Sequence, residues 1–261
     1  MAQYVQLGEV RTWYDQRGEG EPLVLMHGGS VDARFFDQNV DALADRFQVF
    51  LPERRGHGHT PDVDGPITYE LMAQDTIAFL ETVVPGPAHL VGHSDGAVTA
   101  MLVAMHRPDL VRRLALVSGG FHHDGLMPGM DHLDVDQVDG FVGDAYGEVS
   151  PDGREHFPVV IRKIARMAAE EPAMDRSELG AISSRTLVMF GDDDLMTLEH
   201  TIAMYDAIPG SELAIVPGTS HFLLREKPAL CNEIIVEFLT TEPVPTVAPI
   251  RRAANRQGDQ A

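Results

Sequence analysis

At 261 residues, with 44% hydrophobic and 23% charged side chains, the chain has the make-up of a soluble globular protein with a sizeable core, which excludes disordered, collagen-like and coiled-coil architectures. Forty acidic against twenty basic residues give a net charge of −20, which repels nucleic-acid phosphates and anionic membranes, so neither is expected as a partner. A lone cysteine, Cys231, excludes an intramolecular disulfide framework and any multi-cysteine zinc site.

The amino-terminal stretch lacks the basic start and apolar core of a secretory signal, and no run approaches the ~18 apolar residues of a membrane span. A cytoplasmic protein is expected. Short apolar runs then alternate with helix-period segments, the pattern of strands joined by crossover helices around a mostly parallel sheet. Eight strands are predicted: Tyr4 to Leu7, Thr12 to Asp15, Leu23 to Met26, Val49 to Leu51, Ala88 to Val91, Leu114 to Val117, Thr186 to Phe190 and Glu212 to Val216. The first two, split by Gly8 and Glu9, predict an antiparallel edge hairpin. Between Ser94 and His106, Ala97, Ala100, Met101, Ala104 and Met105 recur at the spacing of a buried helix face. From residue 121 to 184 the rhythm breaks into a Gly-, Asp-, His- and Met-rich stretch with a helix around Val159 to Ala169. This predicts a cap inserted into a core made of residues 1–120 and 185–240. Leu230, Ile234 and Phe238 predict a last helix, closed by Pro243 and Pro245, and residues 241–261 read as a disordered tail.

The strongest chemical signal is GHSDG, residues 92 to 96, which follows a predicted strand and opens the small-residue helix. A sharp strand-to-helix turn lifts the serine hydroxyl above the sheet, and side chains at the flanking positions would clash with the turn. Ser94 is therefore the candidate nucleophile; a serine that only caps its helix is the plainer alternative. A serine hydroxyl needs a base to take its proton, and that base needs an acid to orient it. GDDD, residues 191 to 194, follows one predicted strand and PGTSHF, residues 217 to 222, follows the next. Loops at the carboxyl ends of parallel strands converge on one face. The expected set is Ser94, an Asp of the 192 to 194 cluster with Asp194 preferred, and His221. His27, His57 and His59 in glycine-flanked loops, and His122, His123 and His132 in the cap, compete less well because only His221 follows a strand after the acid. His122, His123 and Asp124 could be read as metal ligands, but adjacent residues seldom point at one ion and no HExxH spacing exists, so neither metal nor cofactor is expected. HGGS, residues 27 to 30, follows the third strand and can supply rigid N–H donors to a developing oxyanion. The N–H groups of Gly29 and Asp95 are the expected pair, with Ser30 as the other candidate donor.

These motifs resemble the α/β-hydrolase superfamily over roughly Leu7 to Thr240. PERRGHGHT, residues 52 to 60, is similar to that family's PDxRGxGxS stretch, with Glu53 for Asp and Thr60 for Ser. A serine at the elbow argues against the dehalogenase and epoxide-hydrolase branches. The acid after the nucleophile and SGGFHHDGL, residues 118 to 126, resemble valacyclovir-hydrolase-like enzymes, in which the elbow aspartate helps to recognise a substrate α-amino group. The resemblance implies the same for Asp95, against the plainer role of capping its helix.

The expectation is a metal-independent serine hydrolase with an α/β-hydrolase fold that cleaves a small ester, thioester, lactone or activated amide through an acyl-enzyme. Ser30, Phe121, Met127, Met130, Phe141, Val142, Tyr146 and Phe157 are expected around the substrate, although the apolar ones could equally form the cap's own small core. A carbon–carbon bond hydrolase of the same triad order and a non-catalytic ligand-binding protein are the alternatives. The oligomeric state is not read from the sequence.

Overall fold

The computed structural model describes residues 2–130, 134–242 and 246–248. His132, Pro243, Pro245 and most of the expected tail lie outside these. Eight strands form one sheet: β1 (Gln3–Leu7), β2 (Val10–Arg17), β3 (Glu21–Met26), β4 (Phe47–Pro52), β5 (Ala88–His93), β6 (Val111–Val117), β7 (Arg185–Asp193) and β8 (Glu212–Ser220). Their spatial order is β1-β2-β4-β3-β5-β6-β7-β8. The first two form the expected edge hairpin, with Leu7 opposite Val10, and β2 also runs antiparallel to β4. All pairs from β4 onward are parallel, so the carboxyl ends of β3 and β5 to β8 open on one edge.

Among the described residues eight α-helices accompany the sheet: α1 (Val40–Ala44), α2 (Tyr69–Val83), α3 (Asp95–His106), α4 (Val135–Gly147), α5 (Phe157–Glu170), α6 (Leu198–Ala207), α7 (Leu223–Glu226) and α8 (Pro228–Thr240). Successive residues of a strand point to opposite faces, and both faces of this sheet are covered. Val24 and Met26 pack with α2, α3 and α6 on one side, while Leu23 and Leu25 pack with α1 and α8 on the other. That is why β3 reads as an unbroken apolar run. Of the face predicted for α3, Ala97, Ala100, Met101 and Ala104 are buried and Met105 is half-buried.

Two expectations change. The stripe Leu230, Ile234, Phe238 is not the buried face of α8: Leu230 is 40% exposed, and Cys231, Ile235, Phe238 and Leu239 lie against the sheet. Side chains four apart drift around a 3.6-residue helix, and the row starting one residue later is the one that meets the second core. Strands β7 and β8 also continue beyond their apolar runs, to Asp193 and Ser220, with an irregularity in pairing between Gly191 and Asp193. Asp192, Asp193 and the polar residues of PGTS thus belong to the strand ends, with Asp194 just beyond β7. Between β6 and β7 lie α4 and α5, anchored to the rest of the chain by polar contacts. Lys163 Nζ reaches both Asp62 carboxylate oxygens at 2.8 Å, and Arg34 reaches Glu148 at 2.8 Å.

Candidate active site

Ser94 stands at the junction of β5 and α3 with φ 54° and ψ −121°, in the left-handed region that side chains disfavour. Its N–H donates to Val117 O at 2.9 Å. The flanking glycines are a steric requirement: a Cβ on Gly92 would sit 2.3 Å from Gly96 O, and one on Gly96 would sit 2.1 Å from Met26 O. Any larger residue at either position would push the elbow off the sheet.

The three side chains expected to meet do so. His221 Nε2 lies 3.0 Å from Ser94 Oγ, and His221 Nδ1 lies 2.8 Å from Asp194 Oδ1. Within the acidic cluster only Asp194 reaches the imidazole. Asp192 Oδ1 instead accepts from Thr219 N–H at 3.1 Å, and Asp193 is exposed at the end of β7. The Asp194 side chain is only 2% exposed, yet its carboxyl group is held below the usual carboxylate range. Burial pushes it up, but the hydrogen bond and charge of His221, with donors Ser118 Oγ and Gly191 N–H, pull it down further. The His221 loop is fixed from three sides. Ser220 N–H and Oγ both donate to the Glu226 carboxylate at 2.7 Å, Lys227 Nζ donates to Pro217 O, and His93 Nε2 donates to His221 O at 2.8 Å.

The competing imidazoles sit in different environments. Burial depresses His57 to about 4 and His93 to about 3, and pushes His27 well down. His57 Nδ1 is bound to Arg55 O at 2.9 Å, and His27 Nδ1 to Gly28 O at 2.8 Å. His59 pairs with the buried Glu53 and stacks on Trp13. Glu53 also accepts the Ala33 and His59 N–H groups, so this departure from the familiar PDxRG pattern fills a structural place beside the site. The ligand atoms of His122, His123 and Asp124 lie within 4.8 Å of one another, contrary to the expectation that neighbours diverge. Two of their ring nitrogens are engaged by backbone, however: His122 Nδ1 accepts from Asp124 N–H, and His123 Nδ1 donates to Pro172 O.

The HGGS loop lies against the elbow, since a Cβ on Gly28 would come within 3.3 Å of Ser94 Cβ and one on Gly29 within 2.3 Å of Asp95 Oδ2. Buried Arg54 sits under this loop and donates through one terminal nitrogen to Gly28 O at 2.8 Å and to His27 O. Ser30 has φ 59°. Among the described residues no acceptor takes the Gly29 N–H, and Asp95, as the first residue of α3, has no intrahelical acceptor for its own. The Asp95 carboxylate does not cap α3. Its Oδ1 accepts from Tyr69 OH at 2.8 Å, and Tyr69 N–H donates to Glu171 Oε2 at 3.0 Å. Burial lowers Arg54 to about 10, opposed by the charge of the neighbouring Asp95.

Two cavities flank these groups. The smaller, ≈ 170 Å³, is lined by Ser94, Asp95, His123, Glu171, Met196 and His221 among others, and Met130 borders it. The larger, ≈ 510 Å³, is walled by Phe35, Tyr146, Phe157 and Phe222, with Ser30, Phe141 and Val142 also on its lining. Phe121 lines neither: it is buried and stacks on His200 with ring centroids 4.1 Å apart. Met127 is also off both walls and 43% exposed. Chain proximity to the site misplaced both, because Phe121 turns back under α6 and Met127 pairs its backbone with Leu195 on the surface. Sequence reasoning missed Tyr69, Glu171, Arg54 and Ser118, whose contacts join segments far apart in the chain. Arg54 and Ser118 lay in stretches already singled out, PERRGHGHT and SGGFHHDGL, but without these contacts.

A family model described as the alpha/beta hydrolase family matches residues 23–234. The (E)-2-((N-methylformamido)methylene)succinate hydrolase of Acinetobacter baylyi is 25% identical to this chain, with 92% of this chain and 98% of that protein covered. Among solved structures, the enol-lactonase of Burkholderia xenovorans superposes with a TM-score of 0.75 at 23% identity, covering 92% of this chain and all of that one. A meta-cleavage product hydrolase of Pseudomonas fluorescens superposes with a TM-score of 0.78 at 19% identity, covering 91% of this chain and 97% of that one.

Proposed function

We propose that this chain, which belongs to the α/β-hydrolase family and is a hydrolase, cleaves a small ester, thioester, lactone or activated amide through an acyl-enzyme on Ser94. The observation that carries the reading is the unbroken run from Asp194 through His221 to the Ser94 hydroxyl, at 2.8 and 3.0 Å, on a nucleophile held at φ 54°. His221 Nε2 takes the Ser94 proton as Oγ adds to the substrate carbonyl, and Asp194 holds the ring and stabilises the imidazolium. The negative oxygen is met by the Gly29 and Asp95 N–H groups, each such donor contributing about 2.7–4 kcal/mol to the transition state. The imidazolium returns its proton to the leaving group. Water, activated by the same ring, then adds to the acyl-enzyme and releases Ser94.

The substrate reading is finer. Asp95 and Glu171 bring two carboxylates to the smaller cavity, and buried Arg54, coupled electrostatically to Asp95, offsets one of them. The remaining negative charge favours an ammonium on the acyl part and opposes an anionic one. The aromatic walls of the larger cavity suit an apolar leaving group. In this reading residues 121–184 act as a cap, with α4 and α5 supplying Phe141, Val142, Tyr146 and Phe157 to that wall. In this reading the partner is a small molecule and the reaction takes place in the cytoplasm. Among the described residues no helix is long and apolar enough to cross a membrane.

Turnover of p-nitrophenyl esters with 1:1 labelling of Ser94 by an active-site phosphonate is the expected result. Ser94→Ala and His221→Ala should each abolish turnover in folded protein. Activity surviving in both would reject the assignment, and turnover of ring-fission diketones alone would move the chemistry to carbon–carbon bonds.

A further inference from the structure

The residue after β6 breaks a local rule. Ser118 is 1% exposed and has φ 53°, one of three non-glycine residues with positive φ among those described; the others are Ser30 and Ser94. Two glycines follow it directly, so glycine is plentiful in this turn, yet the position that favours glycine carries a serine. A left-handed conformation is costly for an L-residue and persists where something else over-determines it.

The hydroxyl supplies that something. Ser118 Oγ donates to Asp194 Oδ2 at 2.5 Å, while Asp194 Oδ1 faces His221 Nδ1 at 2.8 Å. Gly191 N–H also reaches Oδ2, at 3.2 Å, and Leu195 N–H reaches Oδ1, at 2.7 Å. Ser118 N–H is itself held by Met189 O on β7, and the carbonyl of the preceding Val117 accepts the Ser94 N–H, both at 2.9 Å. One dipeptide at the end of β6 therefore ties the nucleophile's backbone on one side to the acid's carboxylate on the other.

We propose that Ser118 is a positioning residue for the reaction, one that sets both which carboxylate oxygen of Asp194 faces His221 and how strongly that oxygen accepts. The inference rests on the acyl-enzyme reading above. With Oδ2 occupied by a hydroxyl donor, the carboxylate cannot rotate its other oxygen into the imidazole bond, and part of its negative charge is neutralised. Taking the hydroxyl away leaves Asp194 more basic and a stronger acceptor of the His221 Nδ1–H. Across the smaller cavity the pair shares its surroundings with Asp95 on α3, His122 and His123 after β6, and Glu171 after α5. From β5, His93 stays neutral and binds the His221 carbonyl; from its own loop, Asp192 is turned to Thr219 N–H and Asp193 to solvent.

Two variants separate the hydroxyl from the backbone. Ser118→Ala removes the hydroxyl and keeps the strain; Ser118→Gly removes both and suits the left-handed backbone. If the hydroxyl positions Asp194, both variants lose kcat by about tenfold to a hundredfold with KM little changed, and the acid limb of kcat/KM moves to higher pH by roughly half a unit. S118G should nonetheless melt at a temperature equal to or above that of S118A. The Nδ1 proton of His221, followed by NMR in folded protein, should shift in both. Wild-type kcat, pH profile and Nδ1 resonance in S118G would overturn the proposal and leave serine there as a mere tolerated residue. S94A separates the two claims: a dead S94A beside a fully active S118G refutes the role of Ser118 alone, whereas an active S94A refutes the acyl-enzyme reading beneath it.

Discussion

Asp194→Asn removes a charge without removing volume, and the hydrogen bonds around Asp194 set what that costs. The carboxylate accepts four: His221 Nδ1 and Leu195 N–H at Oδ1, and Ser118 Oγ and Gly191 N–H at Oδ2. An amide accepts at one end only. If its NH₂ replaces Oδ2, the Ser118 hydroxyl can rotate to accept, but the Gly191 N–H faces another donor. If it replaces Oδ1, the Leu195 N–H is orphaned and His221 must accept at Nδ1, which places its proton at Nε2, facing Ser94. The Leu195 N–H is exposed and can turn to water, whereas the first arrangement leaves the buried Gly191 N–H unmet, at about 1–3 kcal/mol, which for a chain of this size is a fall in melting temperature of roughly 2–12 °C. The second arrangement also puts His221 in a tautomer unable to take the serine proton, a fault worth about 10⁴ in kcat in triad enzymes. The expected result is a folded, destabilised D194N with kcat down by roughly 10³–10⁴, or about 4–5.5 kcal/mol of barrier, and KM little changed. Steady-state hydrolysis of p-nitrophenyl esters and a thermal melt measure both quantities. A D194N within tenfold of wild type, beside an inactive D192N or D193N, would show that a different acid supports His221.

Other consequences are as direct. Asp95→Asn keeps the backbone N–H and an acceptor for Tyr69 OH while removing the negative charge, so KM for aminoacyl esters should rise about tenfold or more, against little change for acetyl esters; equal shifts on both would leave Asp95 without a part in substrate choice. The lowered pKa of Asp194 also couples folding to acid. Its contribution is complete above the unfolded carboxyl value near 4 and is lost as pH falls through the lower folded value, so the stability gap between wild type and D194N should close below about pH 4. A gap that stays constant from pH 7 to pH 3 would mean that Asp194 titrates alike in both states.

What could be read from the chain and what could not divide along a physical line. The inner strands were legible because a sheet covered on both faces makes a strand a short apolar run, as in Leu23 to Met26, while the largely exposed edge pair was legible from the Gly8–Glu9 break between its halves. The elbow was legible because its constraint falls on residue type: the backbone oxygens of Gly96 and Met26 stand where a Cβ at 92 or 96 would go. His221 followed from chain order. The polar ends of β7 and β8 were not legible, since their pairing is held by main-chain bonds with no apolar signal. Nor were the groups that tune the site. Tyr69 meets Asp95 across 26 positions and Glu171 across 102, and Ser118 meets Asp194 across 76. Such contacts leave no period and no local composition.

Ser118 nonetheless marks where a local reading could go further. A turn written SGGF offers two glycines, and an observer would give the left-handed position to one of them. The chain instead places Ser118 there and bonds its hydroxyl to the acid of the site. The same substitution of serine for the easier residue recurs at Ser30 beside the oxyanion loop and at Ser94 itself. At Ser94 and Ser118 the strained backbone points a hydroxyl at the same imidazole–carboxylate pair from opposite ends, Ser94 to His221 Nε2 and Ser118 to Asp194 Oδ2. Strain at these two positions is therefore tied to one hydrogen-bonded chain. Relaxing either backbone, with the loss of its hydroxyl, should be felt in turnover before it is felt in folding.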